Sequence, residues 1–111
     1  MGIQNWSENI ILLNLAAEPQ LGEEVQAVTE MLTAEKACDV VIDFADVEIV
    51  TSSSIAKLLK LRKTLKEANQ RLVFSSVSKR TMTVFSVIGL EDVFEFVDDQ
   101  FVALAGLQLV I

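Results

Sequence analysis

The sequence lacks residue types on which many enzyme active sites depend. It contains no histidine, one cysteine and four glycines in 111 residues. Histidine is the usual general base near neutral pH and a common zinc ligand, so its absence argues against most hydrolytic and zinc-dependent mechanisms. The few glycines form neither a dinucleotide-binding fingerprint nor a P-loop. A nucleophilic Ser52 or Ser53 would need Lys57 as its base, one turn away at best. We therefore expect no enzymatic activity.

The low cysteine content and the absence of long apolar runs indicate the cellular setting. One cysteine excludes an internal disulfide and fits a reducing compartment. Cys38 opens an apolar segment, so we expect an ordinary buried thiol. No apolar run approaches the ~20 residues that span a bilayer. Hydrophobic residues make up 51% of the chain, enough for one core. We expect residues 1–111 to form a single soluble, cytoplasmic domain that does not insert into membranes.

The charged residues are unevenly distributed along the chain. A net charge of −7 argues against a nucleic-acid-binding protein. Residues 57–71 nevertheless carry +5, because they hold six of the nine basic residues and one acidic residue. Lys57, Lys60 and Lys63 lie on one side of a helical wheel. An apolar arc occupies the other side: Ile55, Leu58, Leu59, Leu61, Leu65 and Ala68. The lysines are either a solvated helix face or a docking face for an acidic partner protein.

Apolar residues recur with strand-like and helix-like spacing in alternating segments. The expected elements are strands at 10–15, 39–44, 71–75 and 93–97, helices at 22–36 and 51–70, a third helix that Ser78 caps and Gly89 ends, and a last helix from Asp98. We expect Pro19 and Gly22 to close the first strand, and residues 107–111 to pack onto the sheet. This alternation predicts an α/β fold: a mixed, mostly parallel sheet of four to five strands packed with four helices.

Four consecutive hydroxyl residues stand between an apolar segment and the long second helix. Residues 51–54 read Thr-Ser-Ser-Ser. Hydroxyl side chains at a helix start accept hydrogen bonds from the unpaired N–H groups of the first turn. The same position suits a phosphate, because the helix dipole and the free amides favour negative charge. From the residues alone, both interpretations stay open.

Two carboxylates near the end of the central strand form a weaker pattern. Asp43 and Asp46 could flank a hard cation. Solvated acids at a strand end give the same pattern, and two scattered carboxylates seldom form a metal site. We therefore expect no metal site.

A series of short motifs matches a known protein family in order and spacing. Val-Val-Ile-Asp-Phe at 40–44 is followed by Thr-Ser-Ser-Ser-Ile-Ala at 51–56, Leu-Lys-Leu-Arg-Lys at 59–63, Arg-Leu-Val-Phe at 71–74 and Gly-Leu at 89–90. The segment from 39 to 97 thereby resembles the STAS domains of the anti-sigma factor antagonist (anti-anti-sigma factor) family. In that family, the second helix begins with Asp-Ser-Ser/Thr-Gly-Leu-Gly, in line with residues 51–56 here.

The resemblance implies a protein-binding switch that phosphorylation controls. In such antagonists, the serine after the motif aspartate accepts phosphate from a GHKL-type serine kinase that is also the anti-sigma factor. By position the acceptor here is Ser52, with Thr51 and Ser53 as alternatives. ATP and magnesium would belong to the kinase, so the resemblance implies that this chain needs no cofactor. We expect the partner to contact the helix start and the basic face, at Thr51, Ser53, Ser54, Lys57, Lys60 and Lys63.

Two motif positions depart from the family pattern and leave a second function open. Thr51 replaces the motif aspartate, and Ser54 replaces the motif glycine. The family's early Gly-x-x-Asp element is also absent, because residues 16–20 read Ala-Ala-Glu-Pro-Gln. The alternative is a constitutive STAS interaction module, in a stressosome-like scaffold or a lipid-transport complex, that is never phosphorylated.

Overall fold

The structure, a computed structural model, describes residues 2–34 and 38–108. Its elements are β1 (Gly2–Ser7), β2 (Ile10–Asn14), α1 (Gln20–Ala34), β3 (Asp39–Asp43), α2 (Ser52–Glu67), β4 (Leu72–Ser75), α3 (Lys79–Val87), β5 (Glu95–Val97) and α4 (Gln100–Gln108). The strands form one sheet in the order β1-β2-β3-β4-β5. Strands β2 to β5 are parallel, and β1 pairs antiparallel with β2. The predicted α/β fold, with a mixed sheet and four helices, is confirmed.

The two faces of the sheet are covered by different helices. Side chains alternate along β2, so that Ile11 and Leu13 face one core while Ile10 and Leu12 face another. Helices α1, α2 and α3 cover the first face, and α4 covers the second. Strand β3 is buried on both faces, as the run of β-branched residues predicts for a central parallel strand. Among the described helices, none has the length and apolar character needed to cross a bilayer.

Phenylalanine rings fill the larger core. Phe74 on β4 is fully buried and packs against four other rings, with centroid distances from 4.6 to 6.1 Å. These rings come from the segments after β3 and before β5, from α3 and from β5: Phe44, Phe94, Phe85 and Phe96. Because the rings join strands to helix α3, this cluster fixes the carboxyl edge of the sheet relative to the helices.

Strand β1 was not predicted from the sequence. Its residues read Gly-Ile-Gln-Asn-Trp-Ser, which shows no apolar alternation, and those that the structure describes are exposed. The strand forms at the sheet edge by pairing with the apolar β2, and its register shifts between Asn5 and Ser7. A polar edge strand depends on its neighbour rather than on its own burial, so periodicity alone does not reveal it.

Several helix boundaries and side-chain positions also differ from the prediction. Gly22 lies inside α1, which begins at Gln20, rather than in the turn after β2. Helix α2 ends at Glu67 because the next residues turn, with Asn69 in the left-handed region at φ 59°. Leu59 belongs to the predicted apolar arc but is 37% exposed.

Other local predictions agree with the structure. Ser78 accepts the N–H of Thr81 as the cap of α3, and Gly89 follows that helix at φ +78°. Cys38 is buried; burial and the nearby Asp39 raise the pKa of its thiol. Leu107 packs on the sheet, whereas residues 35–36 of the predicted first helix and 109–111 of the C-terminal segment lie outside the described residues.

We predict that Phe74→Ala lowers the free energy of unfolding by about 3–5 kcal/mol, because it removes a fully buried ring from a packed cluster. Phe101→Ala is the matched control, since Phe101 on α4 is 72% exposed. It should change the free energy by less than about 1 kcal/mol. Urea unfolding of both variants measures the difference, and equal effects would contradict this assignment of the core.

Candidate functional site at the start of helix α2

The carboxyl edge of the sheet positions the start of α2. Strands β3 and β4 end there side by side, and the hydroxyl of Ser75 donates to Oδ1 of Asp43 at 2.9 Å. The chain then crosses to Thr51, the residue before α2, and α2 returns along the sheet from Ser52. Connections at the carboxyl ends of parallel strands are the usual place for functional groups in open α/β sheets.

The structure separates the two carboxylates considered for a cation. Asp43 is buried and accepts the hydrogen bond from Ser75, whereas Asp46 is exposed in the following loop. Within residues 2–34 and 38–108, no three acidic or cysteine side chains come together as metal ligands. Asp43 therefore serves as an internal hydrogen-bond acceptor.

The hydroxyl of Thr51 caps helix α2 and contacts the hydroxyl of Ser54. Oγ1 of Thr51 accepts the N–H of Ser54 at 3.2 Å, and the two hydroxyl oxygens are 3.1 Å apart. Ser54 is 2% exposed. Both side chains are therefore engaged within the protein.

Ser52 and Ser53 present their side chains differently. They occupy the first two positions of α2 and are exposed. Neither hydroxyl makes a hydrogen bond to any residue that the structure describes. The four-hydroxyl run thus divides into the capping Thr51, the buried Ser54 that bonds to it, and two residues with exposed side chains.

A carboxylate from a distant part of the chain binds the same helix start. Glu18, in the loop between β2 and α1, accepts the N–H of Thr51 at 2.8 Å. Partial burial would raise the pKa of Glu18, but hydrogen bonds from Thr51 and Ser54 and the positive charge of Lys57 outweigh it and lower the pKa. The ionised carboxylate is therefore the form that this site stabilises.

Gly22 allows α1 to lie close to this cluster. A Cβ atom at Gly22 would come within 3.1 Å of the Ser54 hydroxyl and 3.2 Å of the Lys57 Nζ. Lys57 is accordingly half-buried between α1 and α2. It is a neighbour of Glu18 rather than a freely exposed member of the basic face.

The remaining lysines of the predicted basic face point outward. Lys60 and Lys63 are exposed on α2, together with Ala56 and the partly exposed Leu59. Their spacing from Ser52 places all of them on one side of the helix, which we term the outer face of α2. Arg62 leaves this face, because its Nε donates to the carbonyl of Val93 at 2.8 Å.

An acidic cleft borders the other side of the helix start. It has a volume of about 390 Å³ and is lined by Ala17, Glu18, Ala45, Asp46, Glu48 and Ile49. Ile49 is 62% exposed, so an apolar side chain lies among three carboxylates. The start of α2 therefore has an acidic cleft on one side, and the outer face of α2, with its exposed lysines, on another.

Sequence reasoning did not identify Glu18. It is 33 residues from Thr51 in the chain, and no local pattern links the two positions. The one signal was the loop at residues 16–20, which differs from the family's Gly-x-x-Asp element and contains a single acidic residue.

Comparisons with known proteins give the same fold. A family model described as Mlab, STAS domain matches residues 13–107. An anti-sigma-factor antagonist (STAS) domain protein from Planctomyces limnophilus superposes with a TM-score of 0.78 at 20% identity, covering 95% of each chain. A sulfate transporter family protein from Wolinella succinogenes gives 0.75 at 16% identity, covering 91% of this chain and 84% of that one. At these identities the structural likeness concerns the fold alone. A search of curated proteins gave no match.

We predict that Glu18→Gln destabilises the protein at pH 7 but not in acid. The lowered pKa means that ionised Glu18 contributes stability at neutral pH, and this contribution is lost as the pH falls through its folded-state pKa. We expect a loss of about 0.5–1 kcal/mol at pH 7, and convergence with the wild type once the pH lies below the folded-state pKa of Glu18.

Glu48→Gln is the control for this prediction, because Glu48 lines the same cleft but makes no hydrogen bond to a described residue. Urea unfolding of the three proteins between about pH 3 and 7 gives the comparison. A Glu18→Gln deficit that stays constant over this range would show that the charge is not responsible.

Proposed function

This chain belongs to the STAS domain family, and from that premise we propose that it is an anti-sigma factor antagonist switched by phosphorylation of Ser52. Its partner in this proposal is a GHKL-type serine kinase that also acts as the anti-sigma factor. The observation that carries the proposal is the exposed side chain of Ser52 at the first position of α2, whose hydroxyl bonds to none of the described residues. The structural likeness to an anti-sigma-factor antagonist domain agrees with it.

The hydrogen bonds favour Ser52 over its neighbours as the acceptor. A phosphate on Thr51 would disrupt the hydrogen bond by which its hydroxyl caps the helix. A phosphate on Ser54 would have to fit at a buried side chain. Burying a charged group without compensating partners is costly. Ser53 is exposed as well, and the match to the family motif selects Ser52 between the two.

The outer face of α2 offers a surface on which phosphate would matter. Ala56 and Leu59 provide apolar contact, while Lys60 and Lys63 would attract an acidic partner. Phosphorylation adds a charge of about −1.5 to −2 at the start of the same face. An acidic partner would be repelled, and its docking would require desolvation of the phosphate. ATP and magnesium belong to the kinase in this scheme.

A second candidate is a constitutive interaction module, as in a stressosome-like scaffold or a lipid-transport complex. The observation that favours it is that the protein itself supplies acceptors at the start of α2: Glu18 accepts the N–H of Thr51, and the Thr51 hydroxyl accepts the N–H of Ser54. The structural likeness to a sulfate transporter family protein fits the same possibility. In this case the partner would bind the outer face without a switch.

We predict that Ser52→Asp weakens binding to the kinase about 10–100-fold, because docking would bury a new charge. Ser52→Ala should bind like the wild type but accept no phosphate. Phosphopeptide mapping of residues 47–60, from cells and after incubation with the kinase, identifies the modified residue. Equal affinities of Ser52→Asp and wild type would refute the switch at this residue. Absence of phosphate in every condition would favour the constitutive module.

We also predict that Lys60→Glu combined with Lys63→Glu slows association with the partner about tenfold at low salt. The effect should shrink as salt screens the charges. Lys79→Glu, an exposed lysine on α3, is the control and should leave the rate nearly unchanged when compared with Lys60→Glu alone. Stopped-flow association at two ionic strengths tests this. Unchanged rates at low salt would mean that the lysines are only a solvated surface.

A further inference from the structure

The positive end of α2 already holds an anion that the protein itself supplies. The carboxylate of Glu18 accepts the N–H of Thr51 at 2.8 Å, and Lys57 is the cation that stabilises it. The hydroxyl of Thr51 also accepts the N–H of Ser54. The two features that favour an anion at a helix start, free N–H groups and a nearby cation, are therefore partly used by Glu18.

Ser52 directly follows the residue that Glu18 holds. A phosphate there would bring about two negative charges to the helix start that Glu18 occupies. The other charged residues lining the adjoining cleft, Asp46 and Glu48, are also acidic. Lys57 is the cation beside Glu18, but its spacing from Ser52 places it on another side of α2. Two anions at this helix start would therefore repel each other.

We propose that Glu18 is an internal counter-anion for the Ser52 site, and that phosphate on Ser52 displaces the Glu18 carboxylate from the start of α2. Both anions would stand at the start of one helix, so the charge of about −1.5 to −2 that a phosphate adds repels the Glu18 carboxylate and weakens its bond to Thr51. Phosphorylation then acts on the β2–α1 loop as well as on the surface that carries the phosphate.

The surrounding contacts define which part of the loop moves. The N–H of Ala16 donates to Glu24 of α1 at 2.7 Å and anchors one end of the loop, and α1 begins at Gln20. The carbonyl of Ala17 also accepts the N–H of Leu21 at 3.2 Å, so Glu18 and Pro19 are the residues that lie between the anchors. Ala17 and Glu18 form one wall of the acidic cleft, so displacement of Glu18 reshapes the cleft beside Ser52.

The biological meaning of this inference rests on the proposed function, but its test does not. A double-mutant cycle combines Ser52→Asp with Glu18→Gln in the purified protein. In the Glu18→Gln background, the new aspartate meets the helix dipole unopposed and should raise the melting temperature. In the wild-type background it meets Glu18, and the effect of Ser52→Asp should be lower by about 3 °C. This coupling should fall in 1 M NaCl.

A second measurement follows the loop itself. With phosphoserine at position 52, the backbone amide signals of Ala17 and Glu18 should shift in ¹H–¹⁵N NMR spectra. The same modification in the Glu18→Gln protein should shift them much less, because no like-charge repulsion drives the loop away. This readout separates displacement from a general loss of stability.

Glu48→Gln is the matched control in both experiments, because Glu48 lies in the same cleft but makes no hydrogen bond to the described residues of the helix start. Its cycle with Ser52→Asp should show much weaker coupling. Additive melting temperatures for Ser52→Asp and Glu18→Gln, or loop signals that do not respond to phosphoserine, would overturn the proposal. Neither result depends on whether a kinase modifies Ser52, so failure here is distinguishable from failure of the proposed function.

Discussion

The hydrogen bond from the N–H of Thr51 to the carboxylate of Glu18 is the contact on which the site depends. A helix start leaves backbone N–H groups without partners inside the helix, and these groups need acceptors from elsewhere. Here the Thr51 hydroxyl, just before the helix, accepts the N–H of Ser54. The carboxylate of Glu18, in the β2–α1 loop, accepts the N–H of Thr51. The second bond joins the β2–α1 and β3–α2 connections, so the geometry at Ser52 depends on both.

The rest of the fold keeps α2 in the orientation that this contact requires. Leu58, Leu61 and Leu65 bury one side of the helix in the larger core. Lys57 lies against Gly22 on one margin, and Arg62 donates to the carbonyl of Val93 on the other. Both margins of the helix thus contact the rest of the protein, and the outer face, from Ser52 to Lys63, is exposed. Such a rigid support is what a surface needs to respond to one added phosphate.

The sequence predicts those parts of the structure that local physics determines. Apolar runs identify β2, β3 and β4, and local capping signals locate both ends of α3. Strand β1 escapes detection, because its pairing with β2 rather than its own pattern makes it a strand. At the site, the hydroxyl run marks the start of α2, but the sequence does not tell capping from exposed hydroxyls. Glu18 is beyond reach for a similar reason: only the tertiary fold brings it to Thr51.

The two departures from the family motif become intelligible through tertiary contacts. Thr51 keeps the capping function of an aspartate but lacks its charge, and Glu18 supplies a carboxylate at the same helix start from another loop. Ser54 adds a side chain where the motif has glycine, and this side chain fits because the facing residue of α1 is Gly22. A carboxylate and a glycine are thus both present near the start of α2. They are Glu18 in the β2–α1 loop and Gly22 in α1, although neither lies at the motif position along the chain.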